Sequence, residues 1–287
     1  MSTRPLPVWS VPLFFMVGAI SQYVGAAIGV FLFETTEPAT VTWLRAAAAA
    51  AVLMVWRRPW RTRWTRRGVL MAAAFGVVTV GMNLAFFEAI ARIPLGTAVA
   101  IEFAGPIAVA ALGSRRGRDI LAVVLAAAGV LLLAGIQTSA EWAGIGFALV
   151  AAALWAGYIL LGKLVADSGN GLDSLAVGIT VAAVILAPLL VSIQLATDAS
   201  VFADPRTWLL GAGVGVLSTA IPYALDQRVL TDIGRARFAL LLALLPTTAA
   251  VVGATMLAQR PSLAEVAGIA LVVLALLISA RPVPTAP

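Results

Sequence analysis

The chain has 287 residues, 62% of them hydrophobic and only 11% charged, with a mean hydropathy of +1.03. Soluble domains are about half apolar and about a quarter charged, so this composition excludes an ordinary soluble fold and indicates a multi-span membrane protein. Cysteine and histidine are both absent, which excludes disulfides, thiolate metal sites and imidazole proton shuttles, while the net charge of +6 must be judged by where the charges lie.

Ten helical spans are expected, at about 9–33, 39–56, 69–91, 95–113, 119–136, 143–164, 174–195, 208–227, 236–258 and 264–280. The segments are long and rich in Ala and Leu and lack strict alternation, so the fold class is all-α and a barrel is excluded. The first span is apolar from Val8 to Phe33, too long for a signal sequence, and is expected to be retained. It carries Gln22, Tyr23 and the close-packing pair Gly25/Gly29. Span two starts after Pro38 and holds Arg45. A basic run from Arg57 to Arg67 follows, with Trp56, Trp60 and Trp64 placed as in an interfacial aromatic belt. This run sets topology first and contacts anionic lipid second.

Spans three and four form the stretch GMNLAFFEAIARIPLGTAVAIEFAGPIAVA, residues 81–110, joined by the turn Arg92-Ile93-Pro94. Asn83, Glu88 and Glu102 lie inside it. A charge within an apolar helix costs about 2.5 kcal/mol or more, so it needs a partner or a role. Pro106 stands four residues after Glu102 and has no N–H, so the Glu102 carbonyl loses its helical partner. Arg45 and Glu102 follow their span starts by seven and eight residues, and Asn83 precedes its span end by eight. At 1.5 Å per residue all three fall in one layer, roughly 10–12 Å below the outer face. Two readings stay open. Arg45 and Glu102 form a static buried pair with Asn83 filling leftover hydrogen bonds. Alternatively, Arg45 holds a substrate carboxylate in a forked contact while Glu102 loads and releases a proton. Glu88, near the end of its span, reads as an interfacial carboxylate.

In the second half, Trp155 and Tyr158 of span six either line a cavity or pack as apolar groups. Lys163 marks the inner end of that span. Gly211/Gly215 repeat the close-packing spacing of span one, which means packing within the bundle, with a homodimer interface as the alternative. Ser218, Pro222 and Asp226 fall at i, i+4 and i+8 on one helix face, and Pro222 frees the Ser218 carbonyl. They form a candidate second polar face, with Asp226 near the inner end beside Arg228.

With the N-terminus inside, 15 of the 19 basic residues fall on the inner side, three (Arg92, Arg206, Arg260) fall outside, and Arg45 is within a span. This asymmetry predicts cytoplasmic termini and accounts for the positive charge without nucleic acid. Ten spans divide into five and five, and an odd number per half inverts the second half. Two inverted five-helix repeats are therefore expected, residues 1–138 and 139–287. Ile93-Pro94 followed by Pro106 is echoed 140 residues on by Ile233-Gly234 followed by Pro246. No phosphate-binding loop, HExxH, GxSxG or paired intramembrane aspartate is present, and no filter loop, so an enzyme or channel has no support. No cofactor is expected.

The string GMNLAFFEAI–RIPLGTAVAIEFAGPIAVAALGSRR resembles the threonine/homoserine exporters, a branch of the EamA group in the drug/metabolite transporter superfamily. TVTWLRAAAAA at 40–50, LWAGYIL at 154–160 and LSTAIPYALD at 217–226 extend the resemblance over roughly residues 20–278. It implies two inverted five-helix halves in a bacterial inner membrane, a central cavity, and export of amino acids or related metabolites against protons. Arg45, Asn83, Glu102, Tyr223 and Asp226 match its recurrent polar or aromatic positions. Asp226 stands where a glutamate is usual, Leu245 replaces a glutamate before Pro246, and Ala258-Gln259 replaces a usual Gly-Glu. The expected function is thus a secondary exporter of small polar metabolites, most simply amino acids, using protons and alternating access. The alternatives are a permease for other metabolites, drugs or nucleotide-sugar-like compounds, and a non-transporting membrane scaffold or receptor.

Overall fold

The computed structural model describes residues 11–112, 117–135, 141–167, 171–222, 225 and 241–280. Tyr223 and Asp226 lie outside the described residues. Among those described, every regular element is helical: α1 (Val11–Leu32), α2 (Pro38–Arg57), α3 (Arg66–Ile90), α4 (Leu95–Glu102), α5 (Ala104–Leu112), α6 (Gly117–Gly135), α7 (Trp142–Asp167), α8 (Gly171–Thr197), α9 (Pro205–Gly215), α10 (Leu245–Met256) and α11 (Leu263–Ala280). Helix α4 continues into α5 as one interrupted rod, so the described residues form ten rods at the expected positions. Five of them, α1, α2, α3, α7 and α8, are long and apolar enough to cross a membrane.

Local chemistry sets the helix ends. Pro38 and Pro205 open α2 and α9 at positions where a missing N–H costs nothing. Thr65 and Asp204 cap α3 and α9, accepting from the N–H groups of Gly68 at 3.0 Å and Arg206 at 2.8 Å. Ser262 and Glu265 form a reciprocal capping box before α11: Ser262 N–H donates to Glu265 Oε2 at 2.8 Å and Glu265 N–H to Ser262 Oγ at 3.2 Å. After α10 the chain turns through Ala258 at φ 53°, a left-handed conformation that favours glycine.

Proline sets the interruptions. Without a Pro106 N–H the Glu102 carbonyl has no helical donor, and regular structure lapses at Phe103. Pro246 acts alike on Leu242, and the lapse there is at Ala243–Leu244. Between Val216 and Ala220 the chain makes a π turn, with the Ile221 N–H reaching the Val216 carbonyl. Pro222, four residues after Ser218, has no N–H for an α-type bond to that carbonyl.

Helix α4 is buried over its whole length and lies among α7, α10, α11, α6 and α3. A helix apolar all round belongs in such a centre. Close approach depends on small residues. A Cβ at Gly76 would lie 1.9 Å from the Gly178 carbonyl oxygen, so α3 and α8 touch backbone to backbone. Gly25 abuts Ser218, while Gly211 and Gly215 abut Leu44 and Ala48 of α2. Both GxxxG pairs thus have partners inside the bundle. Helix α3 packs on α7 and α8, and α9 with its π turn packs on α1 and α2. Likewise α4 and α5 lie on α6 and α7, while α10 lies on α11 and α1. Pairs α2/α8, α4/α10 and α6/α11 complete the bundle. Its periphery is apolar, with Val184, Ile185, Leu189 and Leu209 exposed, as suits a lipid-facing surface.

Polar ties hold the helix ends. At one end of α2, Arg57 pairs with Asp173 at 3.0 Å and Thr62 donates to the same carboxylate at 2.8 Å. At the other, buried Gln194 accepts from the Glu37 N–H at 2.7 Å and donates to the Asp198 carbonyl at 3.0 Å. Gln259 Oε1 accepts from the first α4 N–H, Leu95, at 3.0 Å, and Thr97 Oγ1 donates to Glu265 at 3.2 Å. Glu88 is tied to Arg92 one turn on, rather than simply facing water.

Candidate functional site

A cavity of about 310 Å³ opens between α1, α2, α3, the α4/α5 break, α7, α8, the π turn and the start of the α10 rod. Gln22, Tyr23, Arg45, Asn83, Glu102, Trp155 and Tyr158 all line it. The three residues that the sequence placed in one layer thus meet at this cavity, and with Gln22, Tyr23, Trp155 and Tyr158 five rods contribute to its wall. Small-molecule sites occupy about 300–1,000 Å³, so this space suits a compact ligand.

Arg45 projects from the middle of α2 and is 8% exposed. Its Nε donates to Thr219 Oγ1 at 3.1 Å and its Nη2 donates to the Ser218 carbonyl at 3.1 Å. Pro222 has no N–H for an α-type bond to that carbonyl, and the guanidinium takes it as a dock. The guanidinium carbon also lies 5.5 Å from the centre of the Phe87 ring, within cation–π range. Opposite charge comes from Glu102 at the end of α4, 8% exposed. The ion pairs among the described residues are Arg57–Asp173, Glu88–Arg92 and Arg118–Asp119. Arg45 and Glu102 are not among them, and the Glu102 side chain makes no hydrogen bond with another described residue. Both charges line the same cavity. Arg45 is docked on the π turn, and Glu102 ends a buried helix at a break, facing the cavity.

Asn83 Nδ2 donates to the Thr79 carbonyl at 2.8 Å, and Thr79 Oγ1 donates to the Phe75 carbonyl at 2.7 Å. Tyr158 stacks on Phe75 at 4.8 Å between ring centres, and Trp155 meets Phe103 edge-on at 4.6 Å. Both aromatics thus pack and line the cavity at once, so those two readings were not exclusive. Sequence reasoning missed the hydroxyls of Thr42, Thr79 and Thr219 as lining groups. Thr42 and Thr79 precede Arg45 and Asn83 by three and four residues, a same-face spacing that marks them. Thr219 carried no such mark, because its role depends on a helix 174 residues away in sequence.

Residues 142–281 match the EamA-like transporter family. Over 266 residues the chain is 36% identical to the threonine/homoserine exporter RhtA of Escherichia coli K12, spanning 90% of this chain and 87% of that protein. This chain belongs to the EamA-like transporter family. RhtA of Salmonella typhimurium LT2 matches with the same identity and coverage. An uncharacterized transporter of Bacillus subtilis, YwfM, is 32% identical over 207 residues, 69% of each chain. A crystal structure shares the fold, with TM-score 0.61 and 18% identity over 94% of this chain and 96% of that one. Membership of the EamA-like family and the membrane-length apolar helices make this a multi-pass membrane protein.

Proposed function

We propose that the protein exports small amino acids of the threonine/homoserine class across a bacterial inner membrane, exchanging them for protons by alternating access. One observation carries this reading: a compact cavity deep in the bundle is lined by one buried cation, Arg45, and one buried carboxylate, Glu102. A zwitterion carries the complement of both. Arg45 receives the substrate carboxylate, as guanidinium suits planar carboxylates. Glu102 exchanges between a proton and the substrate ammonium. Asn83, Gln22, Tyr23, Trp155 and Tyr158 shape the remaining wall. The named relatives at 36% identity support the amino-acid class.

The proposed architecture is two inverted five-helix halves, 1–138 and 139–287, with both termini cytoplasmic and membrane lipid around the bundle. Its support is a partial interchange of contacts: α3/α7 corresponds to α9/α1, α3/α8 to α9/α2 and α4–α5/α7 to α10/α1, while α2/α8, α4/α10 and α6/α11 map onto themselves. The breaks at Phe103 and at Ala243–Leu244, each beginning three residues before a proline, fit the discontinuous helices that transporters place at their sites. The distribution of arginine supports the orientation.

The test is flux of L-threonine and L-homoserine in proteoliposomes under an imposed pH gradient, with a wider metabolite panel beside it. Gradient-driven flux is expected for the amino acids. Glu102→Gln is expected to abolish the dependence on the gradient. A mutant with wild-type, gradient-driven flux removes the proton role, and a wild-type protein with no flux of any compound favours the scaffold reading.

A further inference from the structure

The cavity contains one hydroxyl whose setting the fold alone does not explain. Ser218 is 3% exposed, lines the cavity, and its Oγ is buried without a hydrogen-bond partner. Buried polar atoms are nearly always paired, and an orphan calls for a reason. The neighbouring hydroxyls show the ordinary solution. Thr42 donates to the Pro38 carbonyl at 2.9 Å and Thr79 to the Phe75 carbonyl at 2.7 Å, each one turn back on its own helix. Thr219 Oγ1 accepts from Arg45. Ser218 makes neither kind of bond. Its position is nevertheless tightly constrained, since a Cβ on Gly25 would fall 2.3 Å from its Oγ and 2.9 Å from its backbone nitrogen. Helix α1 is held against it further by Ser21, whose Oγ donates to the Leu217 carbonyl at 2.8 Å.

We propose that Ser218 is a direct substrate ligand, its Oγ–H donating to the carboxylate of an amino acid gripped by Arg45. The assignment to the carboxylate rests on adjacency: the Ser218 carbonyl and the next side chain, Thr219, are the two groups that dock the guanidinium. An anion arriving at that guanidinium meets the Ser218 hydroxyl in the same step, and the orphaned donor becomes a charge-assisted one. The π turn is what makes this possible. It offers the Ser218 carbonyl and the Thr219 side chain to Arg45 from successive residues and holds the Ser218 hydroxyl against Gly25 at the edge of the cavity, where rotation about χ1 turns it towards an arriving carboxylate without breaking a hydrogen bond. The proposal rests on the cavity being the transport site and adds the group that recognises the substrate's acid end.

The test is Ser218→Ala, measured in three ways on the full chain: melting temperature without ligand, stabilisation by L-threonine, and KM for L-threonine and L-threoninamide flux in proteoliposomes. The unliganded variant is expected to melt at or above the wild-type temperature, because an unpaired buried hydroxyl has been removed. Its KM for L-threonine is expected to rise about tenfold, with a matching loss of ligand-induced stabilisation. L-threoninamide keeps the ammonium and the side-chain hydroxyl but lacks the anionic carboxylate, and its flux should change far less. A lower melting temperature means that the hydroxyl has a structural partner, and overturns the proposal. An unchanged KM for L-threonine, or an equal effect on the amide, overturns it too. Arg45→Lys in the same assay separates the two levels: if Arg45→Lys also behaves as wild type, the cavity reading itself has failed, whereas loss in Arg45→Lys with wild-type behaviour in Ser218→Ala condemns the role of Ser218 alone.

Discussion

Replacing Gly76 by alanine probes the contact that sets the spacing of α3 and α8. The added Cβ would stand 1.9 Å from the Gly178 carbonyl oxygen, 2.0 Å from its carbon and 2.6 Å from its Cα. All three are backbone atoms, so no rotamer change relieves the clash. Reaching ordinary contact near 3.5 Å requires the two helices to part by roughly 1.5 Å. Alanine in place of glycine gains about 1 kcal/mol in helix propensity. Overpacking of this kind costs about 1–3 kcal/mol and occasionally more, and the parted helices also lose their small-residue contact. Because only backbone can yield, the cost lies at the upper end of that range, about 3 kcal/mol, and the expected net loss is about 2 kcal/mol. Gly81, on the same helix, is the control, because a Cβ there would lie 3.6 Å from Leu154 Cδ1, an ordinary contact. Gly81→Ala is expected to be neutral or slightly stabilising. Equilibrium unfolding in mixed micelles with rising SDS measures both, and flux reports on the cavity, since α3 and α8 supply Asn83 and Ile179 to its wall. Wild-type unfolding of Gly76→Ala, or equal damage from Gly81→Ala, would refute the packing argument.

Other substitutions test separate parts of the reasoning. Arg45→Ala leaves Thr219 Oγ1 and the Ser218 carbonyl without their cation, which should cost about 1–3 kcal/mol in the same unfolding assay and remove amino-acid flux. Arg45→Lys should retain more stability than flux, because an ammonium lacks the planar fork that spans two acceptors and a carboxylate. Ala258→Gly should stabilise by about 0.5–1 kcal/mol, since the left-handed backbone at φ 53° penalises a Cβ by more than glycine loses in entropy. Arg57→Ala should shift unfolding by less than about 1 kcal/mol, because its bond to Asp173 is partly exposed and Thr62 still serves that carboxylate.

The family relation of this chain, and the run of arginines along it, were legible before any coordinates. So were the ten rods, because an apolar stretch of about 20 residues is decided by composition and length. The interruption at Phe103 was legible as well, since a proline deletes a specific hydrogen bond whose place can be counted. Even the grouping of Arg45, Asn83 and Glu102 followed from the rise per residue and the span ends. What counting along a helix could not supply is direction around it and choice of partner. It placed Arg45 and Glu102 at one depth, but not the dock that the packing of α2 against the π turn gives Arg45 on Thr219 and the Ser218 carbonyl. It found that Pro222 frees the Ser218 carbonyl, but not that a guanidinium from α2 takes it. Gln194 joining the Glu37 end of α2, Thr97 meeting Glu265, and the solitary hydroxyl of Ser218 likewise arise between segments more than 150 residues apart. Local rules act within a few residues of chain, whereas these contacts exist only after the helices have chosen their neighbours, and that choice is made by the shapes of whole faces.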